Sequence, residues 1–491
     1  MLKSSALRII QSFSKEEMTE FDDFLKSPYF NKKSGVIKLY NEVKKYYPDF
    51  TNENLEKEKL WNKLYPDKKF SYGVMKNLIF DITKLAEQFI AQQEFFTDEI
   101  QECACLYKSL NDRNLLNLMD IKENLLKKKF SDGNLKNVKI PVESYFYYRS
   151  RINGIKIVKN MSEGFDIDYI ESEYMEIFFI CGLLIDLIIY NHSMHELNFL
   201  DKTKNEKILV SQEVLNLLSP EQFEKILNKI KKHSEVYYKL LNCYYLAFMA
   251  FRKLENAEWY FRFKDFFFKN ISELPVLTIR DLDIFLENTF AVIKDKSFKR
   301  EIELIEIYEF RHKNNLILDK YSMFPSLELI PWFLIFIHKN NLREYEEFIE
   351  FYKDKFNGFE KDNMMLLIEA VNLFLRSEFK NSYNIVSKIN LRNFIAKNFL
   401  KRFTLLILYE MNEYEMFLYA SDSLKHFSKY TELVNNFNIA SANAFCKNID
   451  KLFKYKVNPN AVDLKLLEEE IKTNSLVLKS WFLRKVDELK Y

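Results

Sequence analysis

Glycine is nearly missing from this chain, with 7 residues in 491, and proline occurs only 9 times. Average usage would place about 34 glycines and about 25 prolines in a chain this long. Folds rich in sheets and loops need such residues at their reversals, so the scarcity points to long helices with few breaks. The glycines stand alone: no G-x-G-x-x-G, G-x-x-x-x-G-K-[ST] or G-x-S-x-G occurs. That removes the common phosphate-cradling loops and the common hydrolase elbow. A charge of one sign is missing too, since 73 Lys and Arg stand against 71 Asp and Glu. Proteins built to hold nucleic acid usually carry a basic excess, so a nucleic-acid partner is disfavoured. Five scattered cysteines do not form a disulfide framework and suit a reducing cytosol. The opening segment "MLKSSALRIIQSFSKEE" lacks the long apolar region and cleavage site of a secretory leader. The longest apolar run, "IFFICGLLIDLIIY" at 177–190, is interrupted by Asp186. It falls short of the roughly 20 apolar residues of a membrane span, so the expectation is a helix buried in protein, with no membrane span.

What is present is helical period. Ser14 and Glu17 form a capping-box pattern ahead of Met18, Phe21, Phe24 and Leu25. Further stripes run through Val36, Leu39, Tyr40 and Val43, through Leu60, Trp61 and Leu64, and from Met75 to Ile90. Pro28, Pro48 and Pro66 separate these helices, since proline lacks the N–H a helix needs and clashes with the preceding turn. Each proline has a tyrosine beside it, and Phe30, Phe50 and Phe70 follow within four residues. The expectation is that these phenylalanines fold back to plug the open ends between helices. Further on, Ser219, Pro220 and Gln222 open another helix. Short polar turns then recur, each followed by an apolar anchor: Leu254, Phe298, Leu342, Phe379 and Tyr414. Their spacings are 44, 44, 37 and 35 residues, which lie in the range of helical-hairpin repeats.

The segments "LLIEAVNLFLRSEFKNSYNIVSKI" and "RFTLLILYEMNEYEMFLYASDSLKHF" resemble degenerate tetratricopeptide repeats. In that family a small residue on helix A packs against another on helix B twelve positions later. Ala370 and Ser382 match the pair, whereas Leu406 and Leu418 stand there in the next unit, and the family's Trp, Gly and closing Pro are missing. The resemblance covers roughly residues 330–430. The whole chain, with "FLKSPYFN", "LYP" and "LILYEMNEYEMF", also resembles uncharacterised bacterial helical-repeat proteins, which supply no activity to carry over.

The expected architecture is therefore all-α, with helical-hairpin repeats forming a tetratricopeptide-like α-solenoid. It divides into an N-terminal helical domain (1–98), a hairpin array (99–329), tetratricopeptide-like repeats (330–455) and a C-terminal capping helix (456–491). The resemblance implies that helix A of each hairpin lines a concave groove. His338, Asn372, Arg376, Arg402 and Tyr409 are the partner-binding candidates on that face. Their mixture of cation, amide and aromatic ring suits a polar peptide or an acidic helix.

Several constellations compete with a binding role. "DLIIYNHSMHEL" places His192 and His195 at i and i+3, beside Glu196 and downstream of Asp186. It matches neither zinc-protease pattern, so no metal or cofactor is expected, although an enzyme site there is the rival reading. Cys103 and Cys105 would diverge on a helix and are expected to be free, buried thiols. "YFYYRSRINGIKIVKN" mixes rings with basic groups, as single-strand binders do, but Tyr145, Tyr148, Ile152 and Ile155 follow a helical stripe. "LLKKKF" at 125–130 and "KIKKH" at 229–233 read as solvated faces. The expected function is a non-catalytic cytoplasmic scaffold or adaptor that binds a protein or peptide. A nucleic-acid-binding helical repeat is the alternative outside catalysis.

Overall fold

The computed structural model describes residues 4–48, 50, 52–115, 118, 135–162, 169–200, 210–295, 297–318, 322–357, 361–430, 436–473 and 478–490. The chain is all-α, with 23 α-helices among the described residues. Among the described residues the strand content is a two-residue parallel bridge, Phe324–Pro325 beside Phe356–Asn357. The chain divides into two compact units, Met1–Leu183 and Leu184–Tyr491.

In the first unit the stripes read from sequence converge on one core. Helices Ser5–Gln11, Lys15–Lys26, Ser34–Val43, Lys57–Leu64 and Tyr72–Thr97 bury Phe21, Leu39, Tyr40, Trp61, Met75 and Ile82 together. The capping box forms as expected, with Ser14 Oγ accepting from the Glu17 N–H and Glu17 accepting from the Ser14 N–H. Pro28, Pro48 and Pro66 each lie just beyond a helix end. Phe50 is fully buried, but Phe30 and Phe70 are only half-buried at the core margin. Phe30 stacks on Phe24 at 4.2 Å and Phe70 meets Trp61 edge-on at 5.8 Å. Cys103 is buried and Cys105 exposed, which corrects the expectation of two buried thiols; a two-residue step on helix Glu99–Asn111 turns them to different sides. Tyr145 and Ile152 are buried on helix Val142–Ser162 and Tyr147 is exposed, so that segment is an amphipathic core helix. "LLKKKF" lies outside the described residues.

The apolar run at 177–190 belongs to helix Tyr169–Leu200. Its segment Ser172–Met194 is long and apolar enough to cross a membrane, longer than the run at 177–190 had implied, and half of its most apolar stretch is buried in protein.

In the second unit short turns join several successive helices. Leu254 and Phe298 fall in the turns before Glu258–Asn270 and Arg300–Lys313, whereas Leu342, Phe379 and Tyr414 are the first residues of helices Leu342–Tyr352, Phe379–Val386 and Tyr414–Tyr430, which follow Leu329–Lys339, Lys361–Leu375 and Phe394–Glu410. Packing runs mostly between chain neighbours. The turns explain how so few glycines suffice. Asn340, Ser377 and Asn412 take the left-handed conformation, with φ of 51°, 62° and 64°. The amides of Glu378 and Glu413 then reach back to the carbonyls of Leu373 and Leu408, at 2.8 and 3.1 Å. This is the helix-terminating pattern usually served by glycine, and asparagine also tolerates it. Ala370 and Ser382 are both fully buried, and Ser382 Oγ donates to the Ala370 carbonyl at 2.7 Å. The next pair behaves differently: Leu406 is buried, but Leu418 is exposed and Phe417 fills the core instead.

The 456–491 segment contains two helices, Leu464–Thr473 and Lys479–Glu488, in place of one capping helix. The second reaches beyond its chain neighbours. It packs against Leu329–Lys339 and Asn436–Val457.

Candidate functional site

Helix Lys361–Leu375 turns Met364, Leu367, Ile368, Val371 and Phe374 inward, the spacing of one buried helical face. Its opposite face borders an open groove of about 790 Å³, lined by Asp362, Met365, Leu366, Glu369, Asn372, Leu373, Arg376 and Glu378, with Ile368 at its floor. Met365 and Leu366 are more than a third exposed, although they are apolar. Arg376 donates through Nε to Asn372 Oδ1 at 2.7 Å and through a terminal nitrogen to Glu346 Oε1, which also accepts from Asn372 Nδ2 at 3.4 Å. Glu346 therefore neutralises the cation of the groove, and the remaining carboxylates leave its lining acidic.

Asn372 and Arg376 thus stand together on an open helix face. The other three candidates do not join them. Arg402 is buried, its Nε bonded to Asn398 at 2.9 Å and its guanidinium over the Phe445 ring, and burial pushes its pKa down to about 10. Tyr409 is also buried, edge-on to Phe453 and Trp481. The expectation of an open face at both positions is corrected: helices Asn436–Val457 and Lys479–Glu488 cover them.

His338 is half-buried for the same reason. Its Nδ1 lies 2.6 Å from Ser480 Oγ and 3.2 Å from Glu301 Oε2, and the Ser480 amide donates to that same carboxylate oxygen at 3.2 Å. Arg484 donates to the carbonyls of His338 and Ile337 at 2.6 and 2.7 Å. A cation thereby satisfies the free carbonyls at a helix C-terminus. Lys485 pairs with Glu410 at 2.8 Å, with both side chains largely buried. The His338 and Tyr409 positions are thus occupied by the chain's own basic, aromatic C-terminal helix, anchored by Trp481 and Phe482.

Of the rival catalytic constellation, Asp186 and His192 sit in different surroundings. Asp186 lies on an exposed edge, its carboxyl raised above the usual range by desolvation. His192, six residues on, is interior and stacked on Phe285 at 3.9 Å. The side chains of His195 and Glu196 lie outside the described residues. Among the described residues no group of three His, Cys, Asp or Glu side chains is placed to hold a metal ion.

Two buried charge clusters escaped sequence reasoning. Lys264 bonds Glu303 and Glu306, both at 2.6 Å. Arg311 bonds Asp283 at 2.9 Å and Glu287 at 2.7 Å, with Glu328 at 3.8 Å. Burial pushes Glu328 up to about 7 and holds Asp283 above its ordinary range. In the same helix as Asp283, Asp281 is pushed up to about 6 by burial, with Tyr244 as its hydrogen-bond donor. The available signal was Glu303 and Arg311 falling on the buried stripe of "REIELIEIYEFRHK". For the groove it was Met365 and Leu366 falling off the buried stripe.

Compared with protein-family models, curated proteins and solved structures, the chain matches none.

Proposed function

We propose that this protein is a non-catalytic helical-repeat adaptor whose second unit is a tetratricopeptide-like solenoid, and that the open face of helix Lys361–Leu375 receives a segment of another protein. The observation that carries this reading is that exposed Met365 and Leu366 and half-buried Leu373 share an open face with charged side chains, on a helix whose other face is core. Apolar side chains grouped in a groove with a polar rim mark interaction sites more often than bare surface. In tetratricopeptide repeats this helix is the groove-lining helix A, which is where the resemblance points. Five cysteines scattered over a long chain suit a reducing cytosol. An acidic lining weighs against a nucleic-acid track, because phosphates would be repelled.

The test is site-specific photocrosslinking in the native cell. A photoreactive residue at Leu366 should give a discrete protein adduct that is lost when Met365→Ser and Leu373→Ser are added. Equal labelling from a photoreactive residue at the remote exposed position Tyr419 would overturn the reading.

A further inference from the structure

We infer that the occupant of the Lys361–Leu375 groove is a cationic amphipathic helix; this rests on the proposed groove function. The lining residues recur with helical regularity. Asp362 and Glu369 are seven apart, Met365 and Leu366 sit between them, and Leu373 follows Leu366 by seven. At about 100° per residue Asp362 and Glu369 fall between Met365 on one side and Leu366 and Leu373 on the other, so the open helix face is a line of carboxylates bordered by apolar side chains. A second helix laid along it would bury Met365, Leu366 and Leu373 under its own apolar stripe. Its basic side chains would meet Asp362 and Glu369 between those apolar contacts, with Glu378 at the far end. Arg376 does not offset these acids, because Glu346 and Asn372 already hold it. Lysine or arginine is what this rim accepts: their stems cover apolar surface while their charged ends reach the carboxylates. An acidic helix, the expectation from Asn372, Arg376 and Arg402 in sequence, would meet like charge.

The same unit already seats a basic helix of its own in another place. Helix Lys479–Glu488 lies on Leu329–Lys339 with Trp481 and Phe482 inward, Lys485 on Glu410 and Arg484 on two carbonyls. It is a short basic aromatic helix seated on a helix of the array. The fold therefore already accommodates the class of ligand that the open groove is charged to attract.

The experiment uses the full chain and two designed helical peptides with the same leucine seam, one flanked by lysine and one by glutamate, followed by fluorescence anisotropy. The lysine peptide should bind, and more weakly as salt rises. The Asp362→Lys, Glu369→Lys variant should bind it about tenfold more weakly and should gain the glutamate peptide. Both positions are exposed, and an unchanged melting curve confirms folding. Preference of the unaltered chain for the glutamate peptide, lost in Leu366→Ser, would overturn the cationic partner and leave the groove reading standing. Binding of neither peptide, or binding indifferent to both Leu366→Ser and the charge reversal, would overturn the two together.

Discussion

Replacing Arg311 with methionine tests whether buried charge holds the hairpins of the second unit together. The guanidinium is almost wholly enclosed and bridges Asp283 and Glu287 on the preceding helix, with Glu328 closing the third side. Methionine approximates the volume of the stem, so the main loss is electrostatic: three carboxylates left facing one another. Removing one partner of a buried pair costs about 3–5 kcal/mol. The loss should depend on pH. Glu328 has its folded pKa raised from 4.5 to about 7. The folded state therefore holds that proton more tightly than the unfolded chain. This contribution is fully present below the unfolded value and is lost as pH rises through the folded one. Without Arg311, Glu328 and Asp283 would hold their protons more tightly still, so the variant's deficit should grow with pH. The Glu328 side chain is 35% exposed, and solvent screening makes the pH-dependent part the smaller share of the loss. Urea denaturation of both proteins, followed by circular dichroism at about pH 5.5 and pH 8, measures this. Adding Glu287→Gln to the variant should restore part of the stability at the higher pH. A deficit below about 1 kcal/mol at pH 8, or one equal at both pH values, would refute the argument.

Phe50→Ala should cost about 3–5 kcal/mol in chemical denaturation, whereas Phe30→Ala, at the half-buried margin, should cost less than half of that. Ser382→Ala removes the donor to the Ala370 carbonyl and should lower stability by about 1 kcal/mol, read from the same denaturation curves. Arg376→Glu should leave stability within about 0.5 kcal/mol, because Arg376 is exposed. Arg402→Glu should abolish cooperative unfolding, since it buries a carboxylate where the guanidinium now lies.

Much of the secondary structure was legible along the chain, because helix period, capping boxes and proline stops act over a few residues. The Ser14 and Ser219 caps, the three proline-ended helices and the five hairpin turns needed no knowledge of distant contacts. The scarcity of glycine was legible as helicity, while its replacement by Asn340, Ser377 and Asn412 in left-handed turns emerged only from backbone angles. Exposure at the site was a different matter. Arg402 and Tyr409 look like groove residues on a helical wheel, but whether a face stays open depends on which remote segment comes to cover it. Here those segments are Asn436–Val457, whose Phe445 lies against Arg402 and whose Phe453 meets Tyr409, and Lys479–Glu488, some 70 residues beyond Tyr409, which also takes His338. The acidic sign of the remaining groove was decided the same way: Arg376 is a cation in sequence, and only the approach of Glu346 from the preceding helix cancels it. Local propensity determined the helices; the long-range packing of charged and apolar faces decided which surface was left for a partner.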